Sequence, residues 1–250
     1  MLHQLQYYLW NSYFQLNQSF GSGRLGAVFE SFGFFIFCAA LSFYWSELQK
    51  IDQISYLVRL IFLLGYWRAV LFFIIRLSNT LETDNGIIKN SVFDPVGHII
   101  VICLTSIFRL LLCWLWLIPF LVFELNQSNM YINFIDIIFV VINLITLLLF
   151  APAIMCFSGV FPVVRACINT FLPMLLLICP IIWLPSSNMS SYLIELNPIS
   201  VFIINLENSL LESNYDYKVA LMSYTLLSIS ILSIIVVKKR NILSKFLKSA

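Results

Sequence analysis

Long apolar runs separated by short polar segments make up most of the chain. A helix needs about 20 mostly apolar residues to cross a bilayer. Six runs reach or approach that length, the fifth being short and bounded by proline: residues 27–45, 54–75, 98–123, 132–157, 166–183 and 219–237. The connections are short and no internal repeat is evident. The pattern therefore predicts one all-α membrane domain over residues 1–250, with six transmembrane helices.

Residues 1–23, ahead of the first run, carry a second pattern. Apolar, aromatic and small residues recur at helical spacing, with glutamine and asparagine between them, at Leu5, Tyr8, Leu9, Ser12, Tyr13 and Leu16. This pattern predicts an N-terminal interfacial amphipathic helix lying in the headgroup layer. The segment lacks the basic face that such helices often carry, so a frayed polar terminus is the alternative.

The apolar pattern is interrupted between the fifth and sixth runs. The fifth run reaches Cys179-Pro180, a polar patch follows Pro185, and a half-length apolar stretch continues through Asn197-Pro198 to Leu206. That stretch is too short to span a bilayer and too apolar for an ordinary loop. Broken, half-spanning elements are tolerated only against protein or a water-filled cavity. The interruption therefore predicts a pathway through the membrane rather than a tether.

Composition supports the membrane assignment. Hydrophobic residues make up 61% of the 250 residues and charged residues 10%, whereas soluble domains are about 25% charged. The net charge of +2 does not suggest a nucleic-acid partner. The densest basic cluster, Lys238-Lys239-Arg240, places the C-terminus in the cytoplasm. With six spans the N-terminus is then cytoplasmic too, and no cleavable signal peptide is evident.

The sequence carries no motif for catalysis or cofactor binding. It has no Gly-rich nucleotide-binding loop and no nucleophile elbow, and its acidic residues are scattered. His3 and His98 are too few and too far apart to suggest a metal site with the cysteines. The six cysteines form no Cys-x-x-Cys pair and are interpreted as buried thiols. We therefore expect a chain that is not an enzyme and holds no cofactor.

Three arginines fall inside the predicted spans: Arg59 and Arg68 in the second, and Arg109 in the third. Each costs at least about 2.5 kcal/mol at the bilayer centre unless it is paired or hydrated. Glu30 and Asp136 are possible partners. The functional interpretation is a polar lining or a lock between helices. The alternative is snorkelling toward the headgroups, which is strongest for Arg59 near the outer end and weaker for Arg68.

The loop between the second and third spans, residues 78–95, is the longest internal cytoplasmic loop and the best candidate for contact with a partner protein. It contains an Asn-Gly break and an Asp-Pro break. Its candidate contact residues are Glu82, Asp84, Asn85, Lys89, Phe93 and Asp94.

Four segments resemble the membrane subunit of bacterial ABC transporters that export polysaccharides, the O-antigen, teichoic acid and capsule permeases of the type-2 exporter fold. They are residues 23–30 at the entry to the first span, 65–95, 179–183 and 196–199, in the family's order. Phe29 stands where the family usually has tryptophan, and the usual arginine soon after Pro198 is absent. The resemblance covers nearly the whole chain.

The resemblance implies an export permease. Two permeases pair around a channel, and two separate ATP-binding subunits, which carry the ATP and Mg²⁺, bind at the cytoplasmic side of the bacterial inner membrane. Loop 78–95 becomes the coupling loop, and residues 1–23 make a second contact with the ATPase. Two re-entrant helices over residues 186–206 form a periplasmic gate, whose candidate residues are Pro180, Pro185, Asn197 and Pro198.

The resemblance also implies that the first and fifth spans line the channel. Sugars stack on aromatic faces, so the candidate pathway residues are Phe34, Phe35, Phe37, Tyr44 and Trp183. The alternative for each is packing or lipid contact. The expected substrate is a lipid-linked or capsular polysaccharide. Two alternatives remain open: the same class of permease with another substrate, such as a lipo-oligosaccharide, lipid or drug, or a membrane protein that does not transport.

Overall fold

The computed structural model describes residues 6–13, 26–83, 95–119, 154–155, 157–158, 161–179 and 181–182. The longer helices in these ranges are α1, residues 6–13; α2, Gly26–Gln49; α3, Gln53–Thr83; α4, Pro95–Trp114, continued by a 3-10 turn at Leu115–Leu117; and α5, Pro162–Ile178. The described part of the chain contains no strand, in agreement with the all-α prediction. The fourth and sixth predicted spans and residues 186–206 lie almost wholly outside it.

Three described helices are long and apolar enough to cross a membrane: Gly26–Gln49, Gln53–Thr80 and Ile99–Leu117. They correspond to the first three predicted spans and confirm the membrane character of the chain. Helix α5 is apolar but shorter. Its 17 residues extend about 25 Å, which is less than the bilayer core of about 30 Å. It begins at Pro162, where proline suits a first helical turn, and ends before Cys179.

Helix α3 is longer than the apolar pattern predicted. The run of apolar residues ends near Ile75, but the helix continues to Thr83. Residues 78–83 therefore belong to a helix, and their placement in the loop was wrong. The pattern locates the part of a helix that suits lipid, whereas backbone hydrogen bonds continue the same helix through polar residues beyond it.

A tight turn joins α2 to α3 as an antiparallel hairpin. Lys50 has a positive φ of 55°, and the backbone N–H of Ile51 donates to the carbonyl of Ser46 at 3.1 Å, the bond that closes a Schellman motif. Asp52 then caps α3, because its Oδ2 accepts from the backbone N–H and the hydroxyl of Ser55, at 2.9 and 3.0 Å. Ser42 of α2 also donates to a carbonyl in the first turn of α3 at 2.8 Å.

Helix α3 lies at the centre of the described bundle. Two-thirds of its membrane-spanning window is buried (67%), against 33% for α2, and it packs against α2, α4 and α5. Gly65 allows α4 to approach closely, since a Cβ there would lie 3.1 Å from the Cβ of Cys113. Trp114 stacks on Phe62 at 4.8 Å and donates to its carbonyl at 3.3 Å. The packing of α3 thus sets the positions of its neighbours.

Helix α1 packs against the beginning of α4. The Ser12 hydroxyl donates to the carbonyls of Tyr8 and Val101, at 2.7 and 3.3 Å, and Tyr8 lies directly over Gly97. Tyr7, Trp10 and Tyr13 of α1 are exposed. The predicted helix is therefore present over residues 6–13, and its exposed aromatic face is typical of contact with headgroups. Its position in the headgroup layer stays a prediction.

Candidate functional site

Three ionised residues from three helices meet inside the bundle, and we call them the charged cluster: Glu30 of α2, Arg68 of α3 and Arg109 of α4. Glu30 Oε1 forms an ion pair with Arg68 and lies 3.8 Å from Nη1 of Arg109. The expectation that Glu30 is a partner of these arginines is confirmed. Asp136, the other expected partner, lies outside the described residues.

All three residues of the charged cluster lie in helices that are long and apolar enough to cross a membrane. Glu30 is about 28 Å along α2 from Gln49, and Arg68 is about 22 Å along α3 from Gln53. An unpaired arginine in such a span is costly. Pairing with Glu30 therefore compensates part of the lost hydration of Arg68 and Arg109.

Aromatic rings complete the surroundings of the two guanidinium groups. Arg68 lies 5.4 Å from the ring centroid of Phe34, and Arg109 lies 3.8 Å from that of Phe72. Cations over ring faces at these distances are attracted by the ring quadrupole. Phe72 was not singled out from the sequence, although its position four residues after Arg68, on the same face of α3, is a signal that could have found it.

The cleft beside the charged cluster is small. It is lined by residues that include Ala27, Ser31, Leu112 and Cys113 along with the three charged residues, and its free volume is about 10 Å³. That is about the room needed by one water molecule. The charged cluster is therefore a packed joint between three helices in this conformation, rather than a preformed cavity for a large substrate.

The candidate pathway residues divide into two groups. Phe34 is buried under Arg68, and the half-buried Phe35 stacks on Trp116 at 5.3 Å. These two rings pack within the chain. Phe37 and Tyr44 are exposed on the outer face of α2, at 54% and 63% of their surface. Trp183 lies outside the described residues.

A second polar contact joins α3 to the chain just after α5, and we call it the latch. The Tyr56 hydroxyl donates to the carbonyl of Ile182, and Nη1 of Arg59 donates to the carbonyl of Ile181 at 2.9 Å. Arg59 is only 5% exposed. The snorkelling alternative for Arg59 is therefore wrong, because its side chain is directed at a carbonyl inside the bundle and not at the surface.

The latch is needed because the chain leaves helical geometry at Cys179. This residue is extended, with φ −73° and ψ 139°, although its N–H still donates to Leu175 at 2.9 Å. Pro180 follows in the sequence and has no N–H to donate. Carbonyls beyond a helix end have no helical partner and must be satisfied from elsewhere when water is excluded. Tyr56 and Arg59 provide those donors.

Amide side chains join α3 and α5 at the opposite end. Asn169 Nδ2 donates to Asn79 Oδ1 at 3.0 Å, and Asn79 Nδ2 donates back at 3.4 Å. Ser78 also donates to Asn169 Oδ1 at 3.4 Å. The pair of Asn79 and Asn169 was not predicted from the sequence. The available signal was Asn169, an amide side chain within the apolar helix α5.

The remaining candidate residues lie largely outside the described part of the chain. Glu82 falls in the last turn of α3. The other coupling residues are not described: Asp84, Asn85, Lys89, Phe93 and Asp94. The same holds for the gate residues Pro180, Pro185, Asn197 and Pro198.

No protein-family model matches the chain, and no curated protein matches it by sequence. Function is therefore inferred from the chain's own features. These are the apolar helices, the charged cluster between three of them, and the break after α5 that the latch holds.

Proposed function

We propose that the chain is the permease subunit of a bacterial ABC exporter of the type-2 fold, and that it moves a lipid-linked or capsular polysaccharide across the inner membrane. The observation that carries the proposal is the early end of α5 and the attachment of the following chain to α3. A broken span is tolerated only against protein or a water-filled cavity, and transporters commonly build their substrate sites from broken spans. The resemblance of four segments to polysaccharide-export permeases supplies the class.

The length of α3 supports a connection to a cytoplasmic partner. Its 31 residues extend about 46 Å, about 16 Å more than the bilayer core. The excess lies at the C-terminal end of α3, which includes residues 78–83 of the proposed coupling segment and leads into residues 84–95. Because α3 also carries Arg68 of the charged cluster and the donors of the latch, a displacement at its cytoplasmic end is transmitted along one continuous helix to both contacts.

The proposed assembly contains two copies of this permease and two ATP-binding subunits. ATP and Mg²⁺ act on the partner subunits, and this chain is not itself an enzyme. ATP binding draws the two ATPases together, and the coupling loops pass that movement to the spans. The exposed Phe37 and Tyr44 of α2 face outward from this chain, where a second permease, the glycan or lipid contacts them.

The experiment that tests the proposal has two measurements. The tagged chain is purified from its native membrane in a mild detergent, and copurifying proteins are identified by mass spectrometry. Surface glycans are compared between cells with and without the gene. We expect an ATP-binding subunit to copurify and one polysaccharide to be lost from the surface. Absence of any ATPase from the purified complex refutes the proposal, whereas a different missing product refutes only the substrate.

A pair of matched variants tests the coupling loop. Asn85→Ala is expected to abolish export or release the ATPase, because it alters the loop that contacts the partner. Asn126→Ala serves as the control. It makes the same change in the loop between the third and fourth predicted spans, which is predicted on the opposite side of the membrane. Equal export by the two variants, with equal ATPase recovery, contradicts a coupling role for loop 78–95.

A further inference from the structure

The latch joins two parts of the chain that are far apart in sequence and meet inside an apolar cluster. Its donors, Tyr56 and Arg59, are 1% and 5% exposed, and its acceptors are the carbonyls of Ile181 and Ile182. The two donors are three residues apart and therefore lie on the same face of α3. Side chains around them, including Cys179 and Ile181, are fully buried. Water is thus excluded as a substitute partner for the Ile181 carbonyl, whereas Ile182 is only partly buried.

The base of the latch is held firmly at the outer end of α3. Tyr56 lies one turn after the Asp52 cap, and its own N–H donates to the Asp52 carbonyl at 3.0 Å. The Ser42 hydroxyl fixes the same turn to α2 through the carbonyl of Gln53. The acceptor side has fewer constraints, since α5 has already ended and Cys179 is extended. The chain after α5 is therefore positioned by α3, not by continuation of its own helix.

We propose that Tyr56 and Arg59 are the positioning residues of this break, and that they hold residues 181 and 182, where the chain has left α5, against α3, so that the position of the break depends on these two hydrogen bonds. Donation to a backbone carbonyl makes the contact independent of the side chains at positions 181 and 182. The consequence for transport rests on the proposed function: export depends on the break staying attached to α3. The contact itself does not depend on any partner.

Three native cysteines report on the latch without altering it. Cys179 lies at the break and is fully buried, Cys38 is fully buried in the same apolar cluster on α2, and Cys167 is exposed on α5. None of the three is in a disulfide. Their reaction with N-ethylmaleimide, measured on the full chain in lipid nanodiscs by peptide mass spectrometry, therefore separates opening at the break from general loosening. Cys167 calibrates the reagent.

The test variants remove one donor each. Tyr56→Phe deletes only the hydroxyl, and Arg59→Met deletes the guanidinium while keeping a long apolar side chain. Each is expected to raise the labelling rate of Cys179 about tenfold, since a buried carbonyl loses its donor. The rates at Cys38 and Cys167 stay within about twofold. Arg59→Lys keeps a charged donor and gives a smaller increase.

A control variant makes the same change elsewhere on the helix. Tyr66→Phe removes a hydroxyl from a buried tyrosine ten residues further along α3, and leaves Cys179 labelling within about twofold of the wild type. Unchanged labelling of Cys179 in both Tyr56→Phe and Arg59→Met overturns the latch. A parallel increase at Cys38 also overturns it, because the two residues then stabilise the whole bundle and not the position of the break.

Glycan export in cells provides a separate measurement for the consequence in transport. Tyr56→Phe and Arg59→Met are expected to lower export severalfold while any ATPase partner still copurifies. Selective labelling of Cys179 with normal export refutes the role in transport and leaves the latch in place. Selective labelling in a chain with no ATPase partner refutes the proposed function alone.

Discussion

Replacement of Glu30 by glutamine removes the negative charge from the charged cluster and keeps the size of the side chain. Arg68 is in direct contact with this carboxylate, and Nη1 of Arg109 lies 3.8 Å from it. The variant therefore brings two guanidinium groups together without the acid that they share. Because the three side chains are at most one-third exposed, solvent compensates only in part.

The expected cost follows from the exposure of the side chains. Removal of one partner from a fully buried pair costs about 3–5 kcal/mol, whereas exposed pairs contribute less than about 1 kcal/mol. Glu30 and Arg68 side chains are 27% and 33% exposed, and that of Arg109 is 14% exposed. An intermediate value of about 2 kcal/mol is therefore expected for Glu30→Gln. For a chain of this size, that corresponds to a decrease of about 4–8 °C in the thermal midpoint.

Heating in mild detergent, followed by size-exclusion chromatography of the fluorescently tagged chain, measures that midpoint. Glu47→Gln is the matched control, because it removes an exposed carboxylate from the same helix, and it should change the midpoint by less than about 1 °C. The double variant Glu30→Gln with Arg68→Met should recover part of the loss, since one of the two opposed cations is gone. A Glu30→Gln midpoint equal to that of the control would refute an energetic role for the charged cluster.

Three further outcomes follow from other contacts. Gly65→Val should lower the thermal midpoint, because even a Cβ at this position lies 3.1 Å from a side-chain atom of α4. Overpacking of this kind costs about 1–3 kcal/mol. Gly33→Val is the control, because a Cβ there has nothing within 4 Å. Gly97→Ala should displace the Tyr8 ring and loosen the contact of α1 with α4, because the new Cβ lies 2.9 Å from the Tyr8 hydroxyl oxygen; moderately faster proteolysis within residues 6–13 checks this, and unchanged proteolysis contradicts it. The Asp52 cap should weaken in acid, because hydrogen bonds from the backbone and side chain of Ser55 lower the pKa of this carboxyl. The contribution of the cap to stability is therefore present above the unfolded pKa of about 3.9 and is lost as the pH falls through the folded pKa. Thermal midpoints from pH 7 to pH 3 should therefore depend less on pH in Asp52→Asn, and an unchanged dependence excludes the cap as a source.

Hydrophobic patterning predicted the first three membrane helices because helix length and apolar content must match the bilayer. The fifth span was predicted over residues 166–183, whereas the described helix begins at Pro162 and stops at Ile178, before Cys179-Pro180. Patterning failed at the C-terminal end of α3, where the helix continues to Thr83 through polar residues. The hydrophobic pattern marks the residues that suit contact with lipid, but a helix can continue past them.

The amino-acid sequence by itself determined that Arg59, Arg68 and Arg109 require partners, because an isolated charge at this depth is costly. Only the tertiary structure decided which partners they have. Glu30 reaches two arginines because α2, α3 and α4 pack with those positions at one level. Arg59 reaches a carbonyl more than 100 residues away because α3 and α5 are neighbours. The need for a partner is a local property of one residue, whereas the choice of partner depends on how helices pack across the whole bundle.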